Sequence, residues 1–180
     1  MRWLAGPYLA AALLLAVAGA PKVLRPESAT RALASLRLPS STALVRGLGA
    51  AELAIAGAAL ATRGPLAPGL VAASYAVFSG VVALALVRGG VLSSCGCFGR
   101  PDTPPTRTHL AVTLGFAATA VAVAVRPVGR LPEILAGAPM AGLPFVALTS
   151  VCVWFAYLAL AVLPRSGARA ASLAASGRRT

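Results

Sequence analysis

Two cysteines one residue apart, Cys95 and Cys97, sit in a polar, irregular stretch, Ser93-Ser94-Cys95-Gly96-Cys97-Phe98-Gly99-Arg100-Pro101-Asp102. Paired thiols at that spacing suit thiol–disulfide exchange. A disulfide closed over two peptide units departs from relaxed geometry, and strained disulfides are the oxidising, readily exchanged ones. Gly96 supplies the backbone freedom that closure needs. Arg88 and Arg100 flank the pair, and cations beside a thiol favour the nucleophilic thiolate. The plainer alternatives are a disulfide that staples the loop, or two inert thiols. Metal binding is a third, but Cys95, Cys97 and His109 supply only three ligands of the kinds zinc prefers, and no second cysteine pair follows, so no metal is expected.

Glu52 is the sharpest single residue outside that stretch, because it falls inside an apolar run. A carboxylate at the centre of a membrane span costs about 2.5–3.5 kcal/mol on insertion scales, so it is retained for a purpose. The expected partners are Lys22, at the end of the first apolar run, and His109, at the start of the fourth. Helical periodicity puts Gly49, Glu52, Ala56 and Ala59 on one face, a stripe of small residues that packs against another helix. Glu52 should therefore face the bundle interior, roughly 15 Å into its helix and out of reach of Cys95 and Cys97. It serves either to handle protons or to bond two helices. His109 is an interfacial polar residue or a base for the cysteines. Arg46, nearer a helix end, should snorkel to the interface, and Cys152, beside Trp154 and Phe155, is expected to be a buried packing residue.

The elements that position these groups are not those of a water-soluble domain. Of 180 residues 58% are hydrophobic and 11% charged, with mean hydropathy +0.84. Uncharged runs cover 3–21, 64–87, 109–125 and 134–164, and a fifth, 40–62, is broken by Arg46 and Glu52; each is near or above the length that crosses a hydrocarbon core. Five spans leave no room for a separate soluble domain. The net charge of +12 does not point to nucleic acid, because the 16 basic residues cluster at the ends of apolar runs without aromatic interleaving. The first run has the look of a cleavable signal peptide, but Pro21 disfavours cleavage and the run is long enough to span, so a retained helix is expected. Between Pro26 and Pro39 a short interfacial helix is expected; Arg63-Gly64-Pro65 makes a tight turn; residues 126–143 form a Gly/Pro-rich linker and 165–180 a disordered basic tail. The arginine count favours a cytoplasmic cysteine loop, while Arg2 pulls the opposite way and leaves its side open.

The chain resembles the MauE family of methylamine utilisation membrane proteins, within the wider DoxX-like group, along residues 10–125. The resemblance rests on Gly19-x-x-Lys22 with Pro26, Leu38-Pro39, Glu52-Leu53-x-x-x-Gly57 and, most specifically, Ser94-Cys95-Gly96-Cys97-Phe98-Gly99. It implies an all-α integral membrane protein of the plasma membrane: a four-helix DoxX-like bundle over 1–130 with its Cys-Gly-Cys loop at 93–102, a linker and fifth transmembrane helix over 131–164, and the tail. It also implies a role in maturing disulfide-rich exported proteins, such as the methylamine dehydrogenase small subunit, beside a thioredoxin-like partner. Family members often carry an Arg-Asn pair early in helix four; here Val112 and Thr113 stand there.

Together these readings make Cys95 and Cys97 the redox pair of a thiol–disulfide oxidoreductase, supported by Lys22, Glu52, Arg100 and His109, with an acceptor such as a membrane quinone. The competing class is a non-catalytic assembly factor or chaperone in which Cys-Gly-Cys is a structural clip. A transporter built around Glu52 is disfavoured, because the sequence carries no internal repeat.

Overall fold

Every element in the computed structural model is helical among the residues it describes, which are 4–88, 106–126, 128, 131–137 and 142–161. The order is α1 (Ala5–Leu24), α2 (Glu27–Ser35), α3 (Thr42–Ala61), α4 (Leu66–Val87), α5 (Arg107–Val125), α6 (Leu131–Ala136) and α7 (Leu143–Ala161). Helices α1, α3, α4 and α5 run 19 to 22 residues and are apolar enough to cross a membrane. At 1.5 Å rise per residue each reaches about the 30 Å of a hydrocarbon core. The protein is thus an all-α, multi-pass membrane protein. Helix α7 is a further apolar helix of 19 residues, laid against α1 and α5.

Local chemistry sets the boundaries. Ser41 caps α3, its hydroxyl accepting from Leu44 N at 3.2 Å, and Thr106 caps α5 by accepting from His109 N at 3.3 Å. Gly64, at φ 104°, and Pro65 turn the chain between α3 and α4. The first uncharged run ends at Pro21, and α1 continues through it to Leu24. The proline forfeits one donor to the preceding turn, yet Arg25 N still closes on Pro21 O at 2.7 Å. This extra turn makes Lys22 helical and directs it inward.

The interfacial segment is helical as α2, and its Ala32 together with Leu36, the residue that follows the helix, packs on Ala85 near the end of α4. Arg88 Nη1 donates to Leu36 O at 2.6 Å and fastens the two together. The expected linker contains a helix of its own, α6, and Glu133 there pairs with Arg63 in the α3–α4 turn.

The two most extensive seams are α1 against α3 and α4 against α5. A core of Tyr8, Ala11, Ala12 and Leu15 from α1 meets Ala56 and Ala59 from α3, Val71 and Tyr75 from α4, and Ala120 and Val123 from α5. One expectation is overturned: Cys152 is exposed on α7, not buried. Helix α7 lies at the outside of the bundle and turns Thr149 inward, while Trp154 and Phe155 are 59% and 64% exposed. In a bilayer that outer face meets lipid, where an apolar side chain needs no protein cover. Arg46 is exposed, as a snorkelling residue should be.

Candidate functional site

The interior site begins with two glycines. A Cβ on Gly19 would lie 2.8 Å from Gly49 O, and one on Gly49 would lie 2.7 Å from Gly19 O. Both are closer than a side chain tolerates, so the helices cross backbone to backbone as small-residue seams in membranes do. The same glycine positions lie against Glu52 Cβ (3.0 Å) and Lys22 Cβ (2.8 Å) respectively. Near the start of α1, residues 8–15 share a core with Ala56 and Ala59, so the two helices run antiparallel.

One turn beyond each glycine stands a charge. Lys22 Nζ donates to Glu52 Oε1 at 2.5 Å and Oε2 at 2.6 Å, and the two residues are 5% and 1% exposed. Of the two partners expected for Glu52, the structure brings up Lys22. The ammonium also lies 4.5 Å from the centroid of the Phe78 ring on α4, within cation–π range. Phe78 meets Tyr75 edge-on at 5.8 Å, and Tyr75 in turn contacts Phe116 at 5.3 Å. The Tyr75 hydroxyl donates to Ala11 O at 2.8 Å, tying α4 to α1. The stripe Gly49, Glu52, Ala56 and Ala59 is the buried face of α3, joined by Val45.

A second polar line descends from the start of α5. Thr106 Oγ1 and His109 Nδ1 are 2.9 Å apart, and His109 is 3% exposed, deeper than an interfacial polar residue would be. Thr113 Oγ1 donates to His109 O at 2.9 Å and accepts from Ser79 Oγ of α4 at 2.9 Å. Thr113 occupies one of the positions where the family resemblance leads one to expect an Arg-Asn pair, and its hydroxyl keeps that turn polar. Sequence reasoning missed Phe78, Ser79 and Thr106. Ser79 and Thr106 had a faint signal as a hydroxyl in an apolar run and a cap before a helix; Phe78 had none.

Cys95, Cys97 and Arg100 lie outside the described residues. Their segment joins the end of α4 to the start of α5, and both of its ends are anchored, by Arg88 on Leu36 and by the Thr106–His109 cap.

Fold and site together define a small helical membrane protein with a charge pair enclosed near one end of its bundle, where the Cys-Gly-Cys segment departs. The chain belongs to the MauE family, described as methylamine utilisation protein MauE, whose family model matches residues 3–126. The matched stretch takes in α1 to α5 and stops before α6 and α7. No match was found among curated proteins or among solved structures.

Proposed function

We propose that this protein is a plasma-membrane thiol–disulfide carrier in which Cys95 and Cys97 alternate between disulfide and dithiol. The observation that carries the reading is Ser94-Cys95-Gly96-Cys97-Phe98-Gly99 between two membrane-spanning helices, in a chain of the MauE family. A thiolate of a thioredoxin-like partner attacks the Cys95–Cys97 disulfide to give a mixed disulfide, and the partner's second thiolate resolves it. The partner leaves oxidised and passes its disulfide to an exported client, of which the methylamine dehydrogenase small subunit is the kind the resemblance implies. The electron pair and the protons released by the partner's thiols remain as the Cys95/Cys97 dithiol. A membrane quinone that accepts them becomes quinol and restores the disulfide. Arg100 favours the thiolate released from the Cys95–Cys97 disulfide, His109 serves as base at the end of the loop, and Lys22 with Glu52 holds the bundle beneath it.

Labelling intact cells with an impermeant thiol reagent, before and after reduction, tests this. The expected result is that Cys95 and Cys97 label only after reduction, and that a single Cys97→Ser or Cys95→Ser variant traps a mixed disulfide with a thioredoxin-like protein. Cys152, mid-way along α7, should stay unlabelled, shielded by lipid rather than by protein. Client oxidation that survives in the double serine variant would sink the redox reading and leave the assembly-factor alternative.

A further inference from the structure

The end of the bundle from which the cysteine segment departs is strongly cationic. Among the described residues, Arg25, Arg31, Arg37, Arg88 and Arg107 are all exposed there, against one exposed carboxylate, that of Glu27. Among the described residues, none of these five arginines is in an ion pair; the two ion pairs found are Lys22–Glu52 inside the bundle and Arg63–Glu133 at its other end.

Arg37 carries a second, independent signal. Its φ of 55° is the only positive one among the described non-glycine residues. The residue closes α2 in a left-handed cap, with Arg37 N bonded to Ala34 O at 2.9 Å and Leu38 N to Leu33 O at 3.0 Å. That position ordinarily takes glycine, and an arginine held there against backbone preference points to use of its side chain. Arg88 meets the same turn, since its Nη1 is bonded to the carbonyl of Leu36, the residue before Arg37. Four of the five N–H donors of Arg88 remain beyond that bond. Depth identifies the counterion. Val87, 85% exposed, ends the apolar span of α4, and Arg88 is the next residue, so both guanidinium groups stand at headgroup level.

We propose that Arg37 and Arg88 bind the phosphate of an anionic phospholipid, with Arg25 and Arg31 adding attraction along α2. Guanidinium forks match phosphate oxygens in paired hydrogen bonds, and the amphipathic α2 lies in the interface where such headgroups are found. The surface does not depend on the thiol chemistry proposed above.

The test uses the full-length chain in detergent micelles containing equal phosphatidylglycerol and phosphatidylcholine, with retained lipid read by native mass spectrometry. The native chain should retain phosphatidylglycerol preferentially. Arg37→Gly should lower that retention about fivefold, equivalent to the roughly 1 kcal/mol that one basic group contributes beside an anionic surface. Because glycine suits the left-handed cap, this variant should melt no lower than the native chain, which separates lost binding from lost fold. Arg37→Lys, which keeps the charge, should retain more lipid than Arg37→Gly, and Arg88→Gln should behave as Arg37→Gly does. Equal retention of the two lipids by the native chain, or an unchanged preference in Arg37→Gly, overturns the proposal. Release of the phosphatidylglycerol by inorganic phosphate would assign the surface to the free anion and overturn it too.

Discussion

The α1–α3 seam and the α4–α5 seam solve one problem in different ways. Lipid is as apolar as leucine, so the hydrophobic effect gives helices little reason to associate inside it. On α1 and α3 the answer is backbone contact at Gly19 and Gly49, closed by the Lys22–Glu52 pair. On α4 and α5 it is side chains: the Ser79–Thr113 hydrogen bond and the contact between Tyr75 and Phe116. Gly80 and Gly115, which belong to α4 and α5, have nothing within 4 Å of an added Cβ. Gly80 and Gly115 are exposed, as open as Gly47 and Gly57 on α3, so close backbone approach is confined to Gly19 and Gly49 among these glycines. Lys22 belongs to both halves, since its ammonium is bonded to Glu52 and faces the Phe78 ring.

Removing one charge from the first seam should have the largest effect. Lys22→Met leaves the Glu52 carboxylate, 1% exposed, without its cation in a low-dielectric interior. A buried pair broken on one side typically costs about 3–5 kcal/mol, whereas replacing both partners by apolar residues is often near neutral. We predict a loss of that size for Lys22→Met, measured by denaturation in micelles, and recovery of most of it in Lys22→Met/Glu52→Leu. If the double variant is as unstable as the single one, the pair does more than hold α1 to α3.

Next in size is the contrast between glycines. Gly49→Ala places a methyl 2.7 Å from Gly19 O and 2.8 Å from Lys22 Cβ, so the helices must move apart. Overpacking of this kind costs about 1–3 kcal/mol. Gly115→Ala meets nothing and should gain about 0.5–1 kcal/mol from lower backbone freedom in the unfolded chain. Opposite signs in the same denaturation assay would sustain the backbone contact at Gly49 as the tie of the first seam, and equal signs would remove it.

How far these features could be read from sequence follows from what water and lipid each leave in it. A carboxylate in an apolar run is conspicuous, and helical spacing alone groups Gly49, Glu52, Ala56 and Ala59, the stripe that is buried on α3. Lys22 was legible as its partner because few charges were available. The span lengths were legible for the same reason, since charges gather at their ends. What sequence could not carry was the inward face of helices whose lipid side is equally apolar. Cys152 was therefore misjudged as buried, and Phe78 gave no sign that it would cover Lys22. The uncharged run ends at Pro21, yet the one bond that proline forfeits did not end α1. The Arg63–Glu133 pair joins residues 70 positions apart, beyond any local pattern.

The smallest predicted effect lies in the second seam and asks whether its hydroxyl bond holds α4 to α5. Ser79 and Thr113 are 5% and 8% exposed, and their hydroxyls are 2.9 Å apart. Thr113 also donates to His109 O at 2.9 Å, within its own helix. Loss of Ser79 therefore removes a donor but leaves Thr113 bonded, and interhelical hydrogen bonds within membranes average only about 0.6 kcal/mol in double-mutant cycles. We predict a coupling of that order from a Ser79→Ala, Thr113→Val cycle measured by denaturation in micelles. Such a value would make the ring contacts of Tyr75 and Phe116 the stronger bond of this seam. A coupling above about 2 kcal/mol, beyond the range seen for such bonds, would instead make the hydroxyl line from Ser79 to His109 the counterpart of the Lys22–Glu52 pair, and the contrast between the two seams would have to be given up.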